Sequence, residues 1–114
     1  MDPRILEEKI RKAREVGVEA DGRKFTIRRP TDEEMAIWRE TGDSLVAAVK
    51  RFVIGWELVE LDLIPGGGPE KVPFNSALFA EWVADQPAVW TPLGHAILES
   101  YKAHAAKRDV AVKN

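Results

Sequence analysis

The pair Asp21-Gly22 constrains the fold of this chain more than any other sequence feature. Asp-Gly is a preferred pair for a two-residue type I′ turn, because both turn positions need a positive φ. On either side of it, segments 16–20 and 23–27 alternate apolar and polar residues, as half-buried strands do. Folding about the turn gives the register as four pairs: Ala20 with Arg23, Glu19 with Lys24, Val18 with Phe25 and Val16 with Ile27. The sequence therefore predicts a β-hairpin with one apolar face.

The rest of the chain predicts about five helices, since a lone hairpin is not stable in water and must pack on other elements. Each helix is indicated by an apolar stripe at helical spacing. Thr31 and Glu34 fit a capping box, while Asn75 fits an N-cap flanked by the staple pair Phe74 and Phe79. The expected helices cover about 4–15, 31–41, 44–55 and 75–86, and a last helix begins at Pro92.

The segment between the third and fourth helices has no clear helical pattern. Residues 58–64 alternate imperfectly, which is compatible with a short strand, and Lys71-Val72 is a candidate to return alongside it. Pro65 and the three glycines 66–68 predict an irregular loop.

Together these elements predict a mainly α fold with a small β-hairpin (α+β), in which about five helices pack around one core. The chain has 114 residues, which suits one domain with a core of its own. We expect this domain to cover residues 1–106. Residues 107–114 carry charges with little apolar periodicity and are expected to form a disordered tail.

Composition excludes several classes of protein. The chain contains no cysteine, which excludes disulfides and thiolate metal sites. Its formal net charge is −2, whereas dedicated nucleic-acid binders usually carry a basic excess. Its apolar runs are far shorter than the ~20 residues of a membrane span, and the first residues lack the apolar core of a signal peptide. The expectation is a cytoplasmic protein that binds neither nucleic acid nor membrane.

No pattern in the sequence predicts catalysis. There is no Gly-x-Ser-x-Gly elbow, and the glycine run is followed by Pro69-Glu70 where a phosphate loop has lysine. His95 and His104 lie nine residues apart on one predicted helix, so they face opposite sides and cannot share a metal. We therefore expect a non-enzymatic protein with no cofactor and no bound metal.

Two features leave alternatives open. Trp82 and Trp90 flank a predicted helix break, where aromatic side chains serve either as core residues or as interface anchors. Helices 31–41 and 44–55 have the spacing of a helix-turn-helix, in which the second helix reads DNA. That second helix offers mainly Lys50 and Arg51 to base edges, so two packed core helices are the other interpretation.

Three short motifs resemble one known family. They are Phe25-Thr26-Ile27-Arg28-Arg29-Pro30-Thr31-Asp32-Glu33-Glu34, Val53-Ile54-Gly55-Trp56-Glu57 and Val72-Pro73-Phe74-Asn75. Together they resemble segments of the small tail assembly chaperones of long-tailed bacteriophages and prophages, over roughly residues 24–101. The segment 61–70 departs from this family, because it is longer and richer in glycine than the compact acidic turn expected there.

The resemblance implies a chaperone that binds the aggregation-prone tape measure protein and helps to recruit tail tube subunits around it. Self-association, and a longer form made by ribosomal frameshifting, are further possibilities in such a family. Helix-in-groove binding uses apolar anchors with charged residues at the rim. The residues expected to bind the partner are Arg28, Arg29, Phe79, Trp82 and Trp90. The alternative function is a small DNA-binding regulator of helix-turn-helix type.

Overall fold

The hairpin forms about Asp21-Gly22 in the predicted register. In the computed structural model, which describes residues 1–113, Val18 pairs with Phe25 and all four predicted pairs are present. Asp21 has φ 52° and Gly22 has φ 73°, so both turn positions are left-handed, as a type I′ turn requires. The prediction made from the Asp-Gly pair is confirmed.

A third strand, which the sequence analysis placed inside a helix, completes the sheet. Residues Val53–Trp56 were expected to end the helix 44–55, but the helix stops at Phe52 and the chain then pairs antiparallel with the second hairpin strand. The sheet order is β1-β2-β3. Gly55 lies opposite Thr26, and a Cβ built on Gly55 would come within 3.2 Å of the Thr26 Cβ. A larger residue would therefore crowd this pairing.

The described residues form six helices and three strands, so the predicted α+β class is confirmed. The capping box of Thr31 and Glu34 is present, Gly42 ends its helix with φ 65°, and Asn75 caps the fifth helix. The strands are β1 (Glu15–Ala20), β2 (Arg23–Arg28) and β3 (Val53–Trp56). The helices are α1 (Pro3–Lys12), α2 (Asp32–Thr41), α3 (Leu45–Phe52), α4 (Glu60–Leu63), α5 (Ser76–Val83) and α6 (Pro87–Lys113).

The last helix is longer at both ends than the sequence predicts. It begins at Pro87 and runs through Pro92, which was expected to be its first residue. Pro92 cannot donate a backbone hydrogen bond, but Val89 and Leu93 on either side of it are fully buried, and their burial offsets that loss. The helix also continues over residues 107–113, where we expected a disordered tail. Residue 114 lies outside the described residues.

The segment between β3 and α5 folds as an ordered strap over residues 58–73. A single helical turn, α4, replaces the strand considered there, although Val59 does form a bridge with Lys71. Glu60 organises the turn, because its side chain accepts from the Gly68 amide at 2.9 Å and its backbone oxygen accepts from Ile64 at 3.0 Å. The glycine run therefore lies in a defined loop.

Helix α3 is at the centre of the core and packs on α5 and α6. A Cβ built on Gly94 in α6 would come within 2.1 Å of Leu45 Cδ1, so the two helices approach closely because residue 94 is glycine. The sheet covers another side of this core through Phe25 and Ile27, both buried. Helix α1, by contrast, buries none of its side chains.

Candidate partner-binding site

Two of the five residues expected to bind a partner are core residues. Phe79 is 0% exposed and Trp82 is 7% exposed. Their rings pack with Phe25, Trp56 and Phe74 in one aromatic cluster, in which the centroids of neighbouring rings lie 5.1–6.5 Å apart. For Trp82 the structure thus selects the core over the interface. Neither ring can reach a partner without opening the core.

Trp90 and Arg28 also make internal contacts. Trp90 is half-buried, and its indole N–H donates to the Val83 carbonyl at 2.7 Å, tying the start of α6 to the end of α5. Arg28 donates twice to the Glu34 carboxylate, at 2.7 and 2.9 Å. Burial alone would raise the pKa of Glu34, but Arg28 and Thr31 outweigh that effect and the pKa is lowered.

A largely apolar groove lies between α2 and α6. It has a volume of about 710 Å³. Met35 and Tyr101 form its buried part, and Trp38, Leu98 and Ala105 are partly exposed along it. The Trp38 ring stacks on Phe52 with centroids 6.2 Å apart, so the core holds this wall of the groove rigidly.

Charged side chains border the groove. Arg39 places its guanidinium 5.9 Å from the centre of the Tyr101 ring, and Lys102 follows Tyr101 on α6. Asp43 and Asp109 contribute the negative charges of the rim. An apolar floor with a rim of mixed sign suits an amphipathic helix, whose apolar face is buried while its polar flanks meet the rim.

An ionic cluster about Asp32 fixes the position of α6 beside the groove. Tyr101 donates its hydroxyl to Asp32 at 2.8 Å, Arg108 donates to the same carboxylate, and His104 Nε2 lies 3.5 Å away. The hydrogen bond from Arg108, followed by that from Tyr101, lowers the pKa of Asp32 to about 2. The carboxylate is therefore ionised at neutral pH and holds these side chains together.

The groove was not predicted from the sequence. Its residues come from two helices far apart in the chain, so no local pattern links them. The signal available was the spacing of Leu98, Tyr101 and Ala105 on one face of α6. Met35 and Trp38, three residues apart on α2, are the matching apolar pair on the other helix, and both of these helices were expected.

The geometry of α2 and α3 also bears on the helix-turn-helix alternative. Ala48, Val49 and Phe52 of α3 are buried, and within α3 only Lys50 and Arg51 are exposed. A recognition helix needs several exposed polar side chains to contact base edges.

Within residues 1–113, no group of three or more histidine or acidic side chains is placed to hold a metal ion. No helix in that range has the length and apolar character needed to cross a membrane.

Comparisons with known proteins add no family to this description. No protein-family model, no curated protein and no solved structure matches the chain.

Proposed function

We propose that this chain is a tail assembly chaperone of a long-tailed phage or prophage. In this proposal it binds helical segments of the tape measure protein in the bacterial cytoplasm and helps to bring tail tube subunits to them. It acts by binding alone, without catalysis. The three sequence motifs suggest the family, and the open apolar groove between α2 and α6 carries the proposal.

The groove supports the proposal because it offers what a chaperone of an extended helical protein needs. A helix that presents apolar residues at positions i, i+3, i+4 and i+7 can bury them along Trp38, Leu98 and Ala105. The charged rim keeps the apolar floor from being a wide exposed patch, which limits non-specific association. Trp38, Leu98 and Ala105 replace Phe79 and Trp82 as the proposed apolar anchors.

Arg29 lies outside the groove and lines a separate concave surface between the α1–β1 junction and α6. Arg28 is not part of the proposed binding surface, because both of its terminal nitrogens donate to Glu34. A DNA-binding regulator, the alternative function, has less support because α3 contributes most of its side chains to the core.

Co-expression tests the proposal directly. We expect a tape measure protein that is co-expressed with the chain to stay soluble and to co-purify with it. An insoluble partner, with nothing co-purifying, would contradict the proposed function.

Matched variants then locate the binding surface. Ala106→Glu places a charge on an exposed position of the groove, and Ala36→Glu places the same charge on an exposed position of α2 outside the groove. We expect Ala106→Glu to abolish partner rescue and Ala36→Glu to preserve it, with both variants folded by circular dichroism. Equal rescue by the two variants would remove the groove from the proposal.

A further inference from the structure

A second concave surface lies on the other side of the Asp32 cluster, between the α1–β1 junction and α6. It has a volume of about 390 Å³. Four of its lining residues are basic or can become so, namely Arg14, Arg29, His104 and Lys107. No aspartate or glutamate is among the residues that line it. In a chain of net charge −2, this is a local concentration of positive charge.

The backbone holds two of these cations side by side. The Arg29 amide donates to the Arg14 carbonyl at 2.8 Å, which extends the pairing of β1 and β2 by one step. Within residues 1–113, neither arginine forms an ion pair with a carboxylate, and neither does Lys107. Burial first, and then the charge of Arg14, lower the pKa of Arg29, and they outweigh the opposite effect of Asp32, Tyr101 and Glu34. An anion placed between the two arginines would relieve their repulsion.

The lining also selects the kind of anion. Ala13, Val16 and Ala103 form an apolar floor beside the cations, and Val16 is 40% exposed. A free inorganic ion makes no use of such a floor, whereas a carboxylate carried on a peptide does. At the edge of the pocket, a carboxylate of the chain itself already meets one of these side chains, because Asp32 lies 3.5 Å from His104 Nε2.

We propose that this pocket, named here the basic pocket, binds the carboxylates of an acidic protein segment. Arg14, Arg29 and Lys107 supply charge-assisted hydrogen bonds to the carboxylates, and the alanine and valine side chains contact the apolar part of the segment. A nucleic acid is a poorer fit, because the chain has a net charge of −2 and Glu7, Glu8 and Glu15 alternate with the basic residues in this part of the sequence. The proposal does not depend on the groove or on its occupant.

Titration of the full chain with a short peptide tests the proposal. The probe is acetyl-Leu-Asp-Asp-Leu-amide, followed by amide NMR at ~20 mM salt, where charge pairs are screened least. We expect saturable shifts at Arg29, His104 and Lys107. The matched peptide with asparagine at both acidic positions should cause none. Absence of binding at ~5 mM peptide, or equal binding of the asparagine peptide, would overturn the proposal.

Two charge-removing double variants locate the site. Arg29→Gln with Lys107→Gln should weaken binding ~10-fold or more, since both lost contacts are charge-assisted. Lys50→Gln with Arg51→Gln removes the same charge from α3 and should leave binding unchanged. Lys107→Gln alone, at an exposed position, should weaken binding without disturbing the fold. If both double variants lost peptide binding equally, the effect would be one of net charge, and the assignment of binding to this pocket would be overturned.

Competition separates carboxylate from phosphate. Inorganic phosphate and a single-stranded oligonucleotide are titrated under the same conditions. We expect both to bind more weakly than the acidic peptide. Tighter binding of inorganic phosphate would make the basic pocket a phosphate site, and tighter binding of the oligonucleotide would make it part of a nucleic-acid surface. Either result overturns the proposal.

Discussion

Tyr101 donates its hydroxyl to the Asp32 carboxylate at 2.8 Å, across 69 residues of sequence. Asp32 is the first residue of α2, directly after the N-cap Thr31, where the positive end of the helix dipole favours a carboxylate. Arg108 binds the same carboxylate from about two turns further along α6. The start of α2 is thereby tied to α6, which sets the width of the apolar groove between them.

The Asp32 cluster predicts a transition at acid pH. The pKa of Asp32 is about 2 in the folded chain, below its ordinary value of 3.8, chiefly because of the hydrogen bond from Arg108. A lowered carboxyl pKa contributes stability that is fully present above the unfolded value and is lost as pH falls toward 2. We expect the Tyr101 ring resonances to shift and the end of α6 to fray between about pH 4 and pH 2, as measured by NMR and circular dichroism.

Asp32→Asn is the control for this transition. The amide cannot ionise, so the variant should show the loosened end of α6 already at pH 7 and no change of the Tyr101 resonances between pH 4 and pH 2. Glu33→Gln alters a neighbouring exposed carboxylate in the same helical turn and should titrate like the unaltered chain. If the Tyr101 resonances still shift between pH 4 and pH 2 in Asp32→Asn, a group other than Asp32 causes the transition.

The contact of Gly94 with Leu45 predicts that alanine at position 94 destabilises the fold. An added Cβ would lie 2.1 Å from Leu45 Cδ1, so the Leu45 side chain or one of the two helices must shift. Such overpacking costs ~1–3 kcal/mol, set against a helix-propensity gain of ~1 kcal/mol for alanine over glycine. We expect Gly94→Ala to lower the free energy of unfolding, measured by urea denaturation.

A double-variant cycle tests the mechanism of that loss. Leu45→Ala removes the atoms that the new methyl group meets, so Gly94→Ala should cost less in the Leu45→Ala background. Gly17→Ala is the control, because nothing lies within 4 Å of a Cβ built there and its φ is not positive. Additive costs in the cycle would show that Leu45 is not the obstacle.

Local signals predicted the hairpin and the helix caps, because a turn or a cap is decided by residues a few positions apart. The Asp21-Gly22 turn and the Thr31–Glu34 capping box are both of this kind. The end of α3 was missed because residues 53–56 are apolar, which fits a buried helix and a buried strand equally well. Pairing with β2, through contacts far apart in sequence, decides for the strand.

The same argument applies to the candidate sites. Arg28 and Arg29 are neighbours in sequence, yet one is held by Glu34 and the other lines the basic pocket. Nothing in their local sequence separates them, since the difference arises from which elements lie beside β2.

Proline at position 92 was a correct signal of a helix but a wrong signal of its start, because buried neighbours compensate for the missing donor.

The aromatic cluster predicts that Trp82 is required for stability. Its ring packs on Phe25, Trp56 and Phe79, and truncation of a buried tryptophan to alanine costs ~3–5 kcal/mol. We expect Trp82→Ala to unfold at much lower urea concentration than the unaltered chain. Leu78→Ala, at an exposed position of the same helix, is the control and should change stability little. A folded, equally stable Trp82→Ala would return this residue to the partner-binding set.

Two tryptophans also predict how the strap of residues 58–73 opens. The Trp56 indole donates to the Val72 carbonyl at 2.7 Å, and the Trp82 indole donates to the Asp62 carbonyl at 3.2 Å. Phenylalanine at either position keeps an aromatic ring and removes the donor. A buried hydrogen bond contributes ~0.5–1.5 kcal/mol net, so local opening should increase roughly 2–10-fold. Trp56→Phe should therefore speed amide hydrogen exchange at Val72, whose own amide donates to Leu58 at 3.0 Å.

Trp38→Phe is the control for the strap, because the Trp38 indole donates to the Asp43 carbonyl at 3.1 Å, outside residues 58–73. This variant also loses an indole hydrogen bond, in this case an exposed one, so amide exchange should increase near Asp43 and stay unchanged at residues 58–73. The effect of Trp56→Phe should in turn be absent from α2. Uniformly faster exchange across the chain in either variant would mean global destabilisation, and the indole bonds would then have no separate part in holding the strap.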